Sequence, residues 1–187
     1  MNSTSKIRTI IKRNPRRNLP ASLALKRTEN NFVLAFARSF IKFTESSIVI
    51  AARELPLSGY GIADLVCILE RPLNKHVLNS TLDSSSISFV AFEVKMKDWR
   101  GALSQAFRYK YYANTSIVVL PPEDVERAKA YLHTFKSLGI GLWAFNKKLK
   151  TISKIYTPPH SIAMSPVANQ KAIHTLSKNK IIFPQFA

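Results

Sequence analysis

Three ionisable residues stand where charge is expensive. Asp64 interrupts the apolar run Ile62-Ala63-Asp64-Leu65-Val66, and Glu93 and Lys95 close the run Phe89-Val90-Ala91-Phe92-Glu93-Val94-Lys95. A charge in a buried strand must be neutralised or compensated. Strand side chains alternate, so Glu93 and Lys95 share one face while Phe92 and Val94 take the other. If the two strands are neighbours, Asp64 and Glu93 sit side by side, and repulsion plus desolvation raises their pKa values. A hard divalent cation relieves both effects. Mg²⁺ (or Mn²⁺) suits one or two carboxylates, with water and phosphate oxygens completing its shell. Lys95 would orient or deprotonate the attacking water, or offset phosphate charge. The implied chemistry is metal-assisted attack of water on a phosphodiester. A second reading stays open on these residues: a Glu93–Lys95 pair at a strand end, and an Asp64 accepting backbone hydrogen bonds. Acid-x-Lys alone arises by chance about once in such a chain, so the weight lies in the apolar context.

Those residues need a scaffold. Phe32, Phe36, Phe40 and Phe43 fall at helical spacing and form one apolar stripe, behind a helix start at Thr28-Glu29. Strands are expected at 48–52, 61–69 and 86–95, punctuated by Pro56 and Ser58-Gly59. Asp98 caps a helix over 99–113, followed by a strand at 116–120. A helix at 124–138 stops at Gly139, where a left-handed residue is expected, and a strand covers 140–145. A short strand is expected at 154–156, and residues 157–187, with four prolines, read as loosely ordered. The fold class is α/β with a mixed central sheet flanked by helices.

Gln105 and Tyr109 lie four apart on the helix after the acidic strand and share a face. With them, residues 28–145 resemble the PD-(D/E)XK nuclease superfamily. The matching elements are Gly61-Ile62-Ala63-Asp64-Leu65-Val66, Phe92-Glu93-Val94-Lys95, the helical Gln105-x-x-x-Tyr109 and the strand Ser116–Leu120. The resemblance implies a restriction-endonuclease-like α-β-β-β-α-β core. It makes Asp64 and Glu93 metal ligands and Lys95 the catalytic lysine, and gives Gln105 and Tyr109 the supporting role of the helix motif in RecB-like members. Ala63 replaces the family's proline, a common variation. Many members also place an acid on the first helix. Glu29 is the best-placed candidate, with Glu45 and Glu54 behind it, and Glu29 equally reads as a stabiliser of the helix dipole.

The chain has 187 residues, 28 basic and 11 acidic, for a formal charge of +17. Residues 1–27 carry eight bases and residues 127–187 carry ten, with no acid in either, so the middle is balanced. Net charge speaks to partners and not to fold, and such basic ends suit a polyanion. The organisation expected is a basic arm over 1–27, a core over 28–150 and a basic C-terminal extension over 151–187. A solubilising tail or an organellar transit peptide is the alternative for the arm. The single cysteine, Cys67, excludes an intrachain disulfide. No apolar run nears the roughly 20 residues of a spanning helix, so no membrane is expected and the location reads as cytoplasmic. His76, His133, His160 and His174 lack ligand spacing, which argues against a histidine-metal nuclease. Lys97, Arg100, Arg108 and Lys110 are candidate DNA contacts, while Trp99 and Trp143 read as core. The expected function is Mg²⁺-dependent DNA hydrolysis, with a homodimer as the arrangement that cuts both strands. Two alternatives remain: an inactive DNA-binding module of the same fold, and an RNA- or ribosome-associated basic protein.

Overall fold

The computed structural model describes residues 23–44, 48–57, 59–70 and 87–178. The helix α1 (Leu23–Phe43) is followed by three strands, β1 (Ile48–Leu57), β2 (Gly61–Glu70) and β3 (Ile87–Val94). Then come α2 (Trp99–Tyr109), β4 (Thr115–Leu120), α3 (Pro122–Lys129), α4 (Leu132–Leu138), β5 (Gly141–Asn146), β6 (Thr151–Tyr156) and α5 (Pro166–Lys178). The strands form one open six-stranded sheet in chain order. β1, β2 and β3 pair antiparallel, β3–β4 and β4–β5 pair parallel, and β5–β6 is antiparallel again. Parallel neighbours need a crossover; here α2 supplies one and α3–α4 the other. The chain is therefore α/β with a mixed sheet flanked by helices. Among the described residues no helix is long and apolar enough to cross a membrane.

The aromatic stripe of α1 covers one face of the sheet. Phe36 and Phe40 pack on Phe92 at centroid distances of 5.3 and 4.8 Å, and Phe32 meets Phe145 at 5.4 Å. Trp143 joins this face at 5.7 Å from Phe92, in the core as expected. Phe43, the last member of the stripe, departs from it: its ring is exposed under the Lys154 ammonium. α2 covers the opposite face with Ala102, Leu103 and Ala106, next to Val125, Ala128 and Phe135 of α3 and α4. The register Glu93↔Val118 puts Glu93 on this α2 face, back to back with the Phe92 side.

Several boundaries differ from expectation. α1 already begins at Leu23, so Thr28 and Glu29 lie within the helix and its first turn holds no acid. That removes the dipole role considered for Glu29. β1 continues through Pro56, which an edge strand tolerates. The expected helix over 124–138 breaks into α3 and α4 at Tyr131, whose backbone leaves the helical region at φ −112°, ψ 21°. Gly139 stops α4 in the left-handed conformation, as expected.

The C-terminal region is more ordered than its prolines suggested. β6 spans 151–156, and α5 buries Ala168, Ala172 and Leu176. Pro166 occupies the first helical position, where its missing N–H costs nothing, and Ser165 Oγ accepts from Ala168 N at 3.2 Å. This segment grips the end of α2. Met164 N donates to Lys110 O and Ser165 N to Tyr111 O, both at 2.9 Å, and Asn169 Nδ2 donates to Tyr112 O at 2.6 Å. Most of the basic arm, residues 1–22, and the last residues, 179–187, lie outside the described residues.

Candidate active site

The sheet register decides how the acids meet. Leu65 pairs with Phe92 and Val66 with Ala91, and Asp64 and Glu93 follow just past this last paired step, near enough for the Asp64 charge to raise the Glu93 carboxyl. The neighbourhood assumed from the sequence is thus the one the fold makes. Both carboxylates are buried, Asp64 at 8% and Glu93 at 1% exposure. Asp64 Oδ2 accepts from Val94 N at 2.9 Å, the backbone contact of the plainer reading, and this fixes its carboxylate beside Glu93.

Lys95 follows the strand, with its backbone N donating to Val119 O at 3.0 Å. Its ammonium lies 3.1 Å from Glu93 Oε1 and 3.6 Å from Glu29 Oε1. The structure therefore brings the first-helix acid Glu29 to the lysine. Glu54 is also drawn in. Arg53↔Leu65 and Leu55↔Ala63 bracket it, so it stands opposite Asp64 on β1, buried, at a positive φ of 54°. Glu45 lies outside the described residues.

α2 closes the site from above. Asp98 Oδ1 accepts from Gly101 N at 2.9 Å and caps the helix. Gly101 leaves room for this cap, because a Cβ there would collide with the Asp98 carboxylate. One end of the helix is thus pinned next to Lys95, and its last residue, Tyr109, points down to the acids. The Tyr109 hydroxyl lies 2.5 Å from Glu93 Oε2 and 2.8 Å from Ile62 O. One hydroxyl proton cannot serve two acceptors. The Tyr109 hydroxyl donates to Glu93 Oε2, which favours the ionised carboxylate, and Ile62 O is its alternative acceptor.

Burial, then the nearby Asp64 charge, pushes Glu93 up to about 7, against the opposing pull of Lys95 and Tyr109. Burial pulls Lys95 down, but Glu93, Asp64 and Glu29 outweigh it and hold the ammonium above the ordinary lysine value. Burial and Glu93 raise the Tyr109 and Tyr112 phenols. The Tyr112 hydroxyl is buried near this centre with no hydrogen-bond partner among the described residues. Sequence reasoning passed over Tyr112, one helical turn beyond Tyr109. Burial also raises the Cys67 thiol, which leaves it inert.

The remaining candidates separate. Gln105 is half-buried, one turn before Tyr109. Lys97, Arg100 and Arg108 are exposed. Lys110 instead donates to Leu138 O at 2.6 Å and ties α2 to the end of α4. Trp99 is half-buried rather than core, with its ring between Phe135 and Tyr131. Among the described residues no three His, Cys, Asp or Glu side chains gather closely enough to hold a metal. Two buried carboxylates, of which Asp64 raises the proton affinity of Glu93, fit a hard cation that keeps several of its waters.

No family model matches this chain, and neither does any curated protein or any solved structure.

Proposed function

We propose that this chain is a Mg²⁺-dependent nuclease of the PD-(D/E)XK type, with a restriction-endonuclease-like core, that hydrolyses DNA phosphodiester bonds. The observation that carries the reading is the cross-strand pair Asp64–Glu93, buried side by side, with the Lys95 ammonium 3.1 Å from Glu93. An ordinary ion pair at a strand end needs neither the second carboxylate nor the phenol. Asp64 and Glu93 would hold the cation. When bound, the cation supplies a lowered pKa for its water and charge neutralisation at the phosphate. Tyr109 holds Glu93 in place. Glu29 and Glu93 keep Lys95 charged, so Lys95 serves to orient the water and offset phosphate charge rather than to remove a proton. The basic excess at the chain ends supplies attraction to the backbone.

A catalytically inactive DNA-binding module of the same fold is the second reading. It is favoured by the engagement of the Asp64 carboxylate with Val94 N.

The test is cleavage of plasmid and oligonucleotide DNA with Mg²⁺ or Mn²⁺ by wild type, Asp64→Asn and Lys95→Ala. The nuclease reading expects turnover by wild type, at least a hundredfold loss in each variant, and DNA binding within about threefold of wild type. Binding without turnover by wild type selects the binding module. Cleavage that survives both changes refutes the assigned site.

A further inference from the structure

Trp99, Arg100 and Tyr131 form a surface cluster that the cleavage centre does not use. Trp99 opens α2, four residues after Lys95, and its ring spans from the buried Phe135 (6.1 Å) to Tyr131 (4.8 Å, 35° between planes). The Arg100 guanidinium lies 4.3 Å from the Trp99 ring centroid and 5.1 Å from that of Tyr131, and it donates to the Tyr131 hydroxyl at 3.2 Å. Tyr131 is 40% exposed. The helix that the sequence predicts over 124–138 breaks at this residue, although Lys129-Ala130-Tyr131 contains neither glycine nor proline.

We infer that this cluster seats an unpaired base of single-stranded DNA beside the cleaved phosphate. The inference rests on reading Asp64, Glu93 and Lys95 as the cleavage centre. Four factors select this occupant. The chain is strongly basic, so its partner is anionic. The cluster presents exposed aromatic surface next to a fixed guanidinium, the pairing that takes a base on a π-face and a phosphate on N–H groups. Arg100 already fills the cation position over both rings, which excludes an ammonium ligand. Bases inside a duplex are stacked on each other and offer no face to a side chain, so the base must be unpaired. Position fits too. α2 covers the sheet face that carries Asp64 and Glu93, and four residues of chain hold Trp99 within about 14 Å of Lys95, a few nucleotides along a strand.

The experiment uses the full chain in EDTA, so that nothing is cut, titrated with oligothymidylate and with a duplex of equal length. Trp143 is buried, so a ligand at the cluster is reported by Trp99. Single-stranded DNA should quench tryptophan fluorescence in wild type, and the quench should vanish in Trp99→Phe. Tyr131→Ala should weaken single-strand binding roughly tenfold, the effect of one stacked base, with less than a twofold effect on the duplex. Tyr131→Phe should retain most of the affinity, and thermal melting checks that each variant folds. Absence of quenching in wild type overturns the inference. So does an equal loss for single strand and duplex in Tyr131→Ala, which would mark Arg100 as a plain phosphate contact. Tenfold tighter, Tyr131-dependent binding of oligouridylate overturns it in favour of RNA. Failure here is distinguishable from failure of the nuclease reading. Metal-dependent, Lys95-dependent cleavage without quenching leaves the nuclease and removes the cluster. Quenching without cleavage under any metal does the reverse.

Discussion

Glu93→Gln tests the electrostatic account of the site without any assay of activity. The substitution keeps the shape of the side chain and removes its charge. In the fold, burial and Asp64 lift the carboxyl from 4.5 to about 7. At 1.36 kcal/mol per pH unit, the ionised form therefore costs about 3 kcal/mol in the folded protein. A raised carboxyl means that the native state keeps a proton the unfolded chain has released. Its contribution to stability is complete below about pH 4.5 and is lost as pH rises through about 7. The glutamine variant has no such loss. Urea unfolding of both proteins between pH 4 and 8 in EDTA should show the variant gaining about 3 kcal/mol on wild type across that window. At pH 8, millimolar Mg²⁺ should raise the wild-type midpoint and leave the variant's unchanged, because a ligand that binds only the native state stabilises it. Stability curves that stay parallel within about 0.5 kcal/mol, the scale of a surface substitution, would refute the buried, coupled carboxyl pair.

Tyr109→Phe removes the hydroxyl between Glu93 and Ile62 O. It should cost about 1–3 kcal/mol of stability at pH 8, read by urea unfolding, with a smaller loss at pH 5 where Glu93 is neutral. Asp98→Ala should cost about 1 kcal/mol through loss of the helix cap. Gly101→Ala should cost at least as much, since its Cβ would displace the same carboxylate; thermal melts rank the two. Lys110→Met should lower stability by about 1.5–3 kcal/mol, because its charged bond to Leu138 O is lost. The salt dependence of DNA binding should stay unchanged in this variant, and a flatter slope would return Lys110 to the phosphate contacts.

The candidate site is legible in the sequence where one dimension suffices. Glu93 and Lys95 share a face through strand alternation alone. Asp64 lies on the neighbouring strand, just past the last paired step before Glu93. The stripe of Phe32, Phe36 and Phe40 was legible for the same reason, since helical period and large apolar side chains agree. What failed depends on the third dimension. Lys110 looks like any basic residue of a helix until α4 is known to end beside it. Glu54 joins the row only through the register of β1. The break at Tyr131 runs against local preference, and the ring contact with Trp99 is absent from any sequence window. The segment 157–178 differs in kind, because a proline's effect depends on its position, and Ser165-Pro166 is a start signal for a helix.

The end of α2 is held from three directions: by Lys110 to α4, by the backbone of 164–165, and by Asn169 of α5. The helix that carries Gln105 and Tyr109 is therefore rigid before any substrate arrives. Its conformational entropy has been lost already on folding, so little remains to be lost on binding. If the chain is the proposed nuclease, adaptation would fall to the nucleic acid, which would bend or open to reach a surface that does not move toward it. DNA that is already flexible or unpaired at the contacted step meets the smallest deformation energy. Selectivity for substrate shape, without any base being read, would follow from how firmly the C-terminal segment clamps one helix.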